Sequence, residues 1–425
     1  MKVSLLRWFL KKEILQIFTL AILVAGPAFS QSQFRVLYDF NGPDGSWPQS
    51  LMFDPSGNLY GTTAFGGNSN RDCNSMGCGT VFELVRNADG SFSETVLYAF
   101  CSVGSNCSDG YNPNTALVFD AAGNLFGTTE SGGANGGGEV YELTPTGQGG
   151  AWSLSVLYSF CASSPCADGE GPSGAMAVDA SGNLYGATDS GGSGFHGTVF
   201  ELSPPLQQGG PWTESVLYDF CSDMNGQQCL DGYQPIGGVT LNSLGNLYGT
   251  TGTGGRYSRA CGEGCGTVYE LSPSPTGWNF STYAPAPTVG AVPSGPLVST
   301  PSGTVFGTFG EGGASGAGSV FRVSPTGQRT SFSLLSEDGS GPFGLALGNG
   351  VLFGSARGVG SNVPGTIFQI TPSGQESVLH TFCSRKGCPD GDSPLGLITN
   401  GSGTLFGAAA GGGTSGHGVI FAITP

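Results

Sequence analysis

The chain repeats itself. The string GNLYGTT stands at residues 57–63 and again at 245–251. Variants follow the same pattern at 123–129 (GNLFGTT), 182–188 (GNLYGAT), 303–309 (GTVFGTF), 350–356 (GVLFGSA) and 403–409 (GTLFGAA). Each is followed by a glycine-rich stretch and a second apolar string, such as GTVFEL at 79–84 or GVIFAI at 418–423. A third string, VLYDF, occurs at 36–40 and 216–220, with VLYAF at 96–100 and VLYSF at 156–160. Weaker copies lie near 279–283, 331–335 and 378–382. A fourth apolar stretch precedes each GNLYG, as in LMFD at 51–54, and ends in a D-x-x-G-N turn. Asp or Asn opens such a turn through its side chain, and Gly supplies the left-handed position.

Each unit therefore predicts four short strands: a (LMFD-like), b (NLYGTT-like), c (GTVFEL-like) and d (VLYDF-like). They are rich in Val, Leu, Phe and Tyr and bounded by Gly, Pro, Asn and Asp. Four antiparallel strands repeated seven times predict an all-β fold, a seven-bladed β-propeller. Past its first 33 residues the chain opens on a d strand, about Phe34 to Phe40, and closes on a, b and c. The N-terminal d strand is expected to complete the last blade and remove the open edge. An open solenoid of stacked hairpins is the other fold of this pattern, and it leaves two edges bare. The propeller is expected to form one domain over residues 31–425.

Glycine and proline are abundant (77 and 26 residues), but aromatics at 11% and charged residues at 10% separate the chain from disordered sequences. The net charge of −16 argues against a nucleic-acid or anionic-membrane partner, which requires basic side chains.

Residues 1–30 read as a secretory signal peptide: Lys2, Arg7, Lys11 and Lys12, then an apolar run, then Ala28-Phe29-Ser30 before Gln31. Retention as an anchor is the alternative. Removal takes Glu13 as well and moves the net charge from −16 to −19. A secreted or surface-associated bacterial protein is expected, monomeric and with no membrane span after cleavage.

The 12 cysteines fall into six neighbouring pairs. Cys73 stands near Cys78, Cys101 near Cys107, and Cys161 near Cys166. Cys221 stands near Cys229, Cys261 near Cys265, and Cys383 near Cys388. An even count in a secreted chain predicts disulfides within these pairs. A metal site would need four Cys or His ligands at suitable spacing. No C-x-x-C is present, and His196, His380 and His417 stand apart. All six pairs fall in b–c or d–a connections, which emerge on one face. Long stapled loops on a rigid scaffold carry binding or catalysis, or they merely resist proteolysis.

The d–a loops share a DGxxP pattern at 44–48, 109–113, 168–172, 231–235 and 390–394. The Asp-Gly reads as a turn and the Pro as the start of strand a. The variable positions bring Trp47, Tyr111 and Tyr233 to the stapled face, where aromatics stack on sugars or anchor a protein. Glu83, Glu142, Glu201 and Glu270 recur in strand c and read as a structural device. The residues after strand b differ between copies. They include Glu130, Asp189 and Arg357, with Glu311 one position further in its copy. Such a set could act on glycosidic bonds or hold Ca²⁺. Solvated loop charge is the bland reading. No G-x-S-x-G elbow or phosphate loop is present.

The pairing of D-x-x-G-N-L-Y-G-T-T with G-T-V-F-E-L resembles the tandem GloVer repeat of secreted and surface bacterial proteins. The likeness covers residues 34–425, most sharply in the first four copies, and D-x-x-G-N-L-Y is similar to NHL-type propeller repeats. Members of the family are described with a choice of C-terminal anchors, whereas this chain stops after a c strand at Pro425. The resemblance carries over no catalytic residue. The expectation is a non-catalytic binding propeller for an extracellular glycan or protein. A polysaccharide- or lactone-acting hydrolase or lyase, with or without Ca²⁺, is the alternative, and a structural envelope protein the third. No cofactor is expected otherwise.

Overall fold

The computed structural model describes residues 32–425, apart from 70, 74, 105, 148–149, 208, 335–338 and 359–363. The signal-peptide segment lies outside the described residues. Among the described residues the fold is all-β, with one 3₁₀ turn at Arg71–Cys73. No helix among them is long and apolar enough to cross a membrane.

Strands a to d pair in order as antiparallel neighbours. In the first unit these are Ser46–Phe53, Leu59–Phe65, Thr80–Arg86 and Phe92–Ala99. Units three and four have the same internal order and are joined by a single parallel bridge, Ala175–Gly238. The last unit takes its fourth strand from the start of the described chain. Gln33–Asp39 pairs with Val419–Thr424, from Gln33 opposite Thr424 to Asp39 opposite Val419.

The recurring strings have packing reasons. The Gly of NLYG leaves room for the aromatic of the next strand: a Cβ on Gly61 would fall 2.6 Å from Phe82 Cζ. The equivalent contact recurs in every unit, down to Gly407 against Phe421 at 2.4 Å. The last residue of VLYDF is the other anchor. Phe40, Phe100, Phe160, Phe220 and Phe382 are all fully buried. The core lies between neighbouring sheets. One cluster unites Tyr60 and Val81 of the first unit with Leu125 and Tyr141 of the second.

The D-x-x-G-N turns behave as their chemistry dictates. Asp54 Oδ1 accepts the backbone N–H groups of Ser56 and Asn58, both at 2.8 Å, and Asp120 and Asp179 repeat the arrangement. The FEL glutamates are structural as well. Tyr60 donates its hydroxyl to Glu83 at 2.6 Å, and Tyr248 to Glu270 at 2.7 Å.

Successive units are locked by a contact that combines two strings. The Pro of the DGxxP position packs on the Gly that precedes strand c of the preceding unit. A Cβ on Gly79, Gly138, Gly197, Gly266, Gly318 or Gly365 would fall 2.3–2.7 Å from Cδ of Pro113, Pro172, Pro235, Pro293, Pro342 or Pro394 respectively. Pro48 makes the same contact with Gly418 of the last unit, at 2.6 Å. First and last units therefore touch as neighbours do elsewhere.

Candidate functional site

The stapled face is built from the d–a and b–c loops. All six disulfides form as the sequence pairs them. In the b–c loops Cys73 is bonded to Cys78 and Cys261 to Cys265. In the d–a loops Cys101 is bonded to Cys107, Cys161 to Cys166, Cys221 to Cys229 and Cys383 to Cys388. The staples also serve the backbone. The carbonyls of Cys107, Cys166, Cys229 and Cys388 accept the N–H of Gly133, Gly192, Gly255 and Gly413, at 3.0, 2.9, 2.8 and 2.9 Å. Each d–a staple is thereby fixed to the glycine-rich loop after strand b of the following blade.

A second clasp closes the same loops. The Tyr of VLYDF donates to the Asp of DGxxP: Tyr38 to Asp44 and Tyr98 to Asp109 at 2.7 Å, Tyr158 to Asp168 at 2.9 Å, Tyr218 to Asp231 at 2.8 Å. The carboxylate also accepts a backbone N–H just past the strand, as Asp231 does from Ser222 at 2.9 Å. His380 occupies the Tyr position in the sixth unit. It is not an isolated histidine: it pairs with Asp390 at 3.0 Å and stacks on Phe34 at 3.9 Å. Strand periodicity places it there, because VLHTF is a VLYDF string with one ring exchanged for another. Burial lowers its pKa more than Asp390 raises it.

Just after each clasp the backbone enters an unusual conformation. The residue before the strand-a Pro has positive φ in every unit: Trp47 58°, Asn112 59°, Gly171 67°, Gln234 55°, Val292 52°, Gly341 68° and Ser393 53°. Non-glycine residues rarely adopt this region, and such strain clusters at functional sites. Here the conformation aims the backbone N–H at the preceding unit. Trp47 donates to the carbonyl of His417 at 3.0 Å. Asn112 donates to that of Cys78, and Val292 to that of Cys265, both at 2.9 Å.

At the end of strand b a residue stands beside the residue after the Pro in units two, four, five and six, whereas Asp189 of unit three lies against Gly171. Glu130 accepts the side-chain amides of Asn114 at 2.7 Å and Asn112 at 2.5 Å. Gly310 faces Ser294, and Gly252 faces Ile236, with hypothetical Cβ distances of 3.3 and 3.4 Å. Arg357 lies over Phe343, its guanidinium carbon 3.6 Å from the ring centroid. These pairs differ in chemistry while the backbone around them repeats. Below them the inner strands converge to backbone contact: a Cβ on Gly174 would fall 1.9 Å from Gly238 N, and one on Gly295 1.8 Å from Phe343 O.

Glu130 and Asp189 both carry raised pKa values. Burial raises the Glu130 pKa, and the Asp189 charge raises it further. Burial raises that of Asp189 too, opposed by a hydrogen bond from Ser190 at 2.9 Å. Arg357 and Glu311 belong to other units. Glu311 is exposed, and neither residue forms an ion pair within 4.0 Å among the described residues, where His380–Asp390 is the one such pair.

Of the three aromatics, Trp47 is the exposed one, at 51%, with its ring edge-on to Phe65 at 5.4 Å. Tyr111 is half-buried against the core, and Tyr233 leans on His196 at 5.4 Å. Trp152, Trp212 and Trp278 serve the core instead, each edge-on to the strand-b aromatic of the preceding unit.

The sulfurs of Cys73, Cys78, Cys101 and Cys107 lie within 4.8 Å of one another, a spacing that would suit a metal. All four are in disulfides, so none offers a thiolate. On the opposite face, by the D-x-x-G-N turns, two open grooves of about 720 and 800 Å³ are lined in part by Phe53, Asp54 and Pro55.

Solved structures with this fold include a streptogramin B lyase (15% identity, TM-score 0.56, 92% of this chain and 97% of that one). Virginiamycin B lyase from Staphylococcus aureus matches at 13% identity and TM-score 0.55, over 93% of this chain and 99% of that one. A puromycin hydrolase matches at 15% identity and TM-score 0.52, over 87% of this chain and half of that one. At these identities the likeness is one of propeller fold. No curated protein matches the chain. The Gloeobacter/Verrucomicrobia repeat matches residues 24–163, 70–262 and 261–425, and the chain is a member of that repeat family.

Proposed function

We propose that the chain is a secreted, closed seven-bladed β-propeller that binds an extracellular glycan through the centre of its stapled face. The observation that carries this reading is the break in repetition there. Clasps, staples and prolines recur from unit to unit, whereas the facing pairs Glu130–Asn114, Gly252–Ile236 and Arg357–Phe343 do not. Structural demands are alike in every unit, so side chains that differ in one ring of equivalent places reflect a ligand without sevenfold symmetry. Trp47 adds a half-exposed indole of the kind that stacks on sugar rings. Tyr111 and Tyr233 flank the same face, and a protein ligand would use the same aromatics. Export by residues 1–30 and a monomeric state complete the proposal. Glycan-array binding tests it: Trp47→Ala should lower the signal at least tenfold, and an unchanged signal overturns the reading.

A second reading has its own observation, the raised pKa values of Glu130 and Asp189 and the effect of the Asp189 charge on Glu130. Two carboxyls with raised pKa values suit general acid–base work on a polysaccharide or lactone, and as hard oxygen ligands they would suit Ca²⁺. Product release from polysaccharide, with and without Ca²⁺, by wild type but not by Glu130→Gln would favour it over binding alone. Neither binding nor turnover would leave a structural envelope role.

A further inference from the structure

We propose that Arg357 makes the centre of the stapled face a receptor for an acidic sugar, a glycan presenting a uronic-acid carboxylate to the guanidinium. The inference rests on the glycan-binding reading above and specifies its ligand.

Arg357 follows strand b of the sixth unit, Val351–Ala356, and its backbone N–H donates to the carbonyl of Gly341 at 3.1 Å. Its guanidinium carbon lies 3.6 Å above the Phe343 ring. Stacking occupies one face of the planar group, and among the described residues nothing hydrogen-bonds to its N–H edges. Those edges form the fork that matches a carboxylate bidentately. The chain carries 30 Asp and Glu, yet among the described residues none lies within 4.0 Å of this guanidinium.

Position separates Arg357 from the other arginines. Arg35, Arg86, Arg322 and Arg329 lie on outer strands c and d, and Arg256, Arg259 and Arg385 lie in the stapled loops around the rim. Arg357 stands in the ring of facing pairs, where the other units hold Ala64, Glu130, Asp189, Gly252, Gly310 and Ala410. It is the one cation in that ring. Phe343 is likewise the one aromatic in the partner ring, beside Gln49, Asn114, Ser173, Ile236, Ser294 and Leu395. Both exceptions fall in one unit and touch. Partial burial lowers the Arg357 pKa to about 10, so the side chain stays cationic at neutral pH.

The rest of the molecule limits the anion. A net charge of −16 repels polyphosphates and densely sulfated chains. One carboxylate on an otherwise hydroxylated sugar meets the one cation of the central ring and leaves neutral surface for Trp47. Acidic peptides share the carboxylate and would appear in the test as the contrary result.

The test is calorimetric titration with a panel of uronic-acid oligosaccharides, each beside its carboxyl-reduced neutral counterpart, and with glutamate-rich peptides. Wild type, Arg357→Gln and Trp47→Ala are compared. Wild type should bind an acidic member about tenfold more tightly than its neutral partner, as expected for one charge-assisted contact. Arg357→Gln should abolish that preference, while Trp47→Ala should weaken both members together and keep it. Equal wild-type affinity for the two members, or a preference that survives in Arg357→Gln, overturns this inference and leaves glycan binding standing. Binding of acidic peptides but of no sugar overturns both readings, as does no binding at all.

Discussion

Pro48 packs its ring against Gly418, and through that contact the first and last repeats of the chain meet. Gly418 has φ +93°, and a Cβ there would fall 2.6 Å from Pro48 Cδ. Gly418→Ala therefore meets both strain and a clash. Gly416 makes a matched control, with φ +80° and nothing within 4 Å of its hypothetical Cβ. Gly416→Ala should cost about 1–3 kcal/mol from backbone strain alone. Gly418→Ala should cost clearly more in urea denaturation, and equal costs would remove the seat from the account.

Asp231 is a clasp. It is 1% exposed and accepts from the Tyr218 hydroxyl and the Ser222 backbone. Asp231→Asn keeps the shape but weakens both bonds, with a cost of about 2 kcal/mol. The loop between Cys221 and Cys229 beside it should become more susceptible to proteolysis, and limited digestion would show that.

Tyr60 and Glu83 stand opposite each other in strands b and c, joined at 2.6 Å. Where strand b has Phe306, Phe353 or Phe406 instead, strand c has Arg322, Gln369 or Ala422 rather than Glu, and only Phe126 among the strand-b phenylalanines stands opposite a glutamate, Glu142. A double-mutant cycle of Tyr60→Phe and Glu83→Gln should give a coupling of about 1 kcal/mol, measured by denaturation.

Glu139 predicts a pH effect. It replaces the Thr found at Thr80, Thr198 and Thr267, is fully buried, and among the described residues has no hydrogen-bond partner on either carboxylate oxygen. Burial, then the charge of Asp109, pushes its pKa to about 8, and Tyr98 and Tyr141 are the other titratable groups it affects. A carboxyl raised on folding favours the folded state only while protonated, so stability falls as pH rises from the unfolded value of about 4.3 towards 8. The wild type should lose up to about 1.4 kcal/mol per pH unit across that window through this group. Glu94 and Glu214, each raised to about 7, act in the same direction. Glu139→Thr should therefore gain over wild type as pH rises, and a pH-independent difference between the two would contradict the assignment.

What the sequence disclosed was local. Strand order, the Asx turns at Asp54 and Asp120, and the six disulfide pairs follow from side chains within a few residues of one another. Even the exchange of the N-terminal strand into the last unit followed from counting copies of VLYDF. What stayed hidden joins distant residues or depends on burial. The Tyr218–Asp231 clasp spans a stapled loop, although the joint recurrence of the two strings was a signal for it. The Pro113–Gly79 seat crosses between units, so no single repeat displays it. Arg357 and Phe343 are fourteen residues apart and meet only because strands a and b pair. Glu139 stands at the start of a strand-c string, and only the sheet buries it.

The central claim is that ligand engages the stapled face. Hydrogen–deuterium exchange, with and without a glycan selected from the array, tests this most directly. Protection should concentrate in segments 44–49, 109–114 and 341–343 and around Arg357. Protection confined to the D-x-x-G-N face, around Asp54 and Asp120, with segments 44–49 and 341–343 unchanged, would contradict the account.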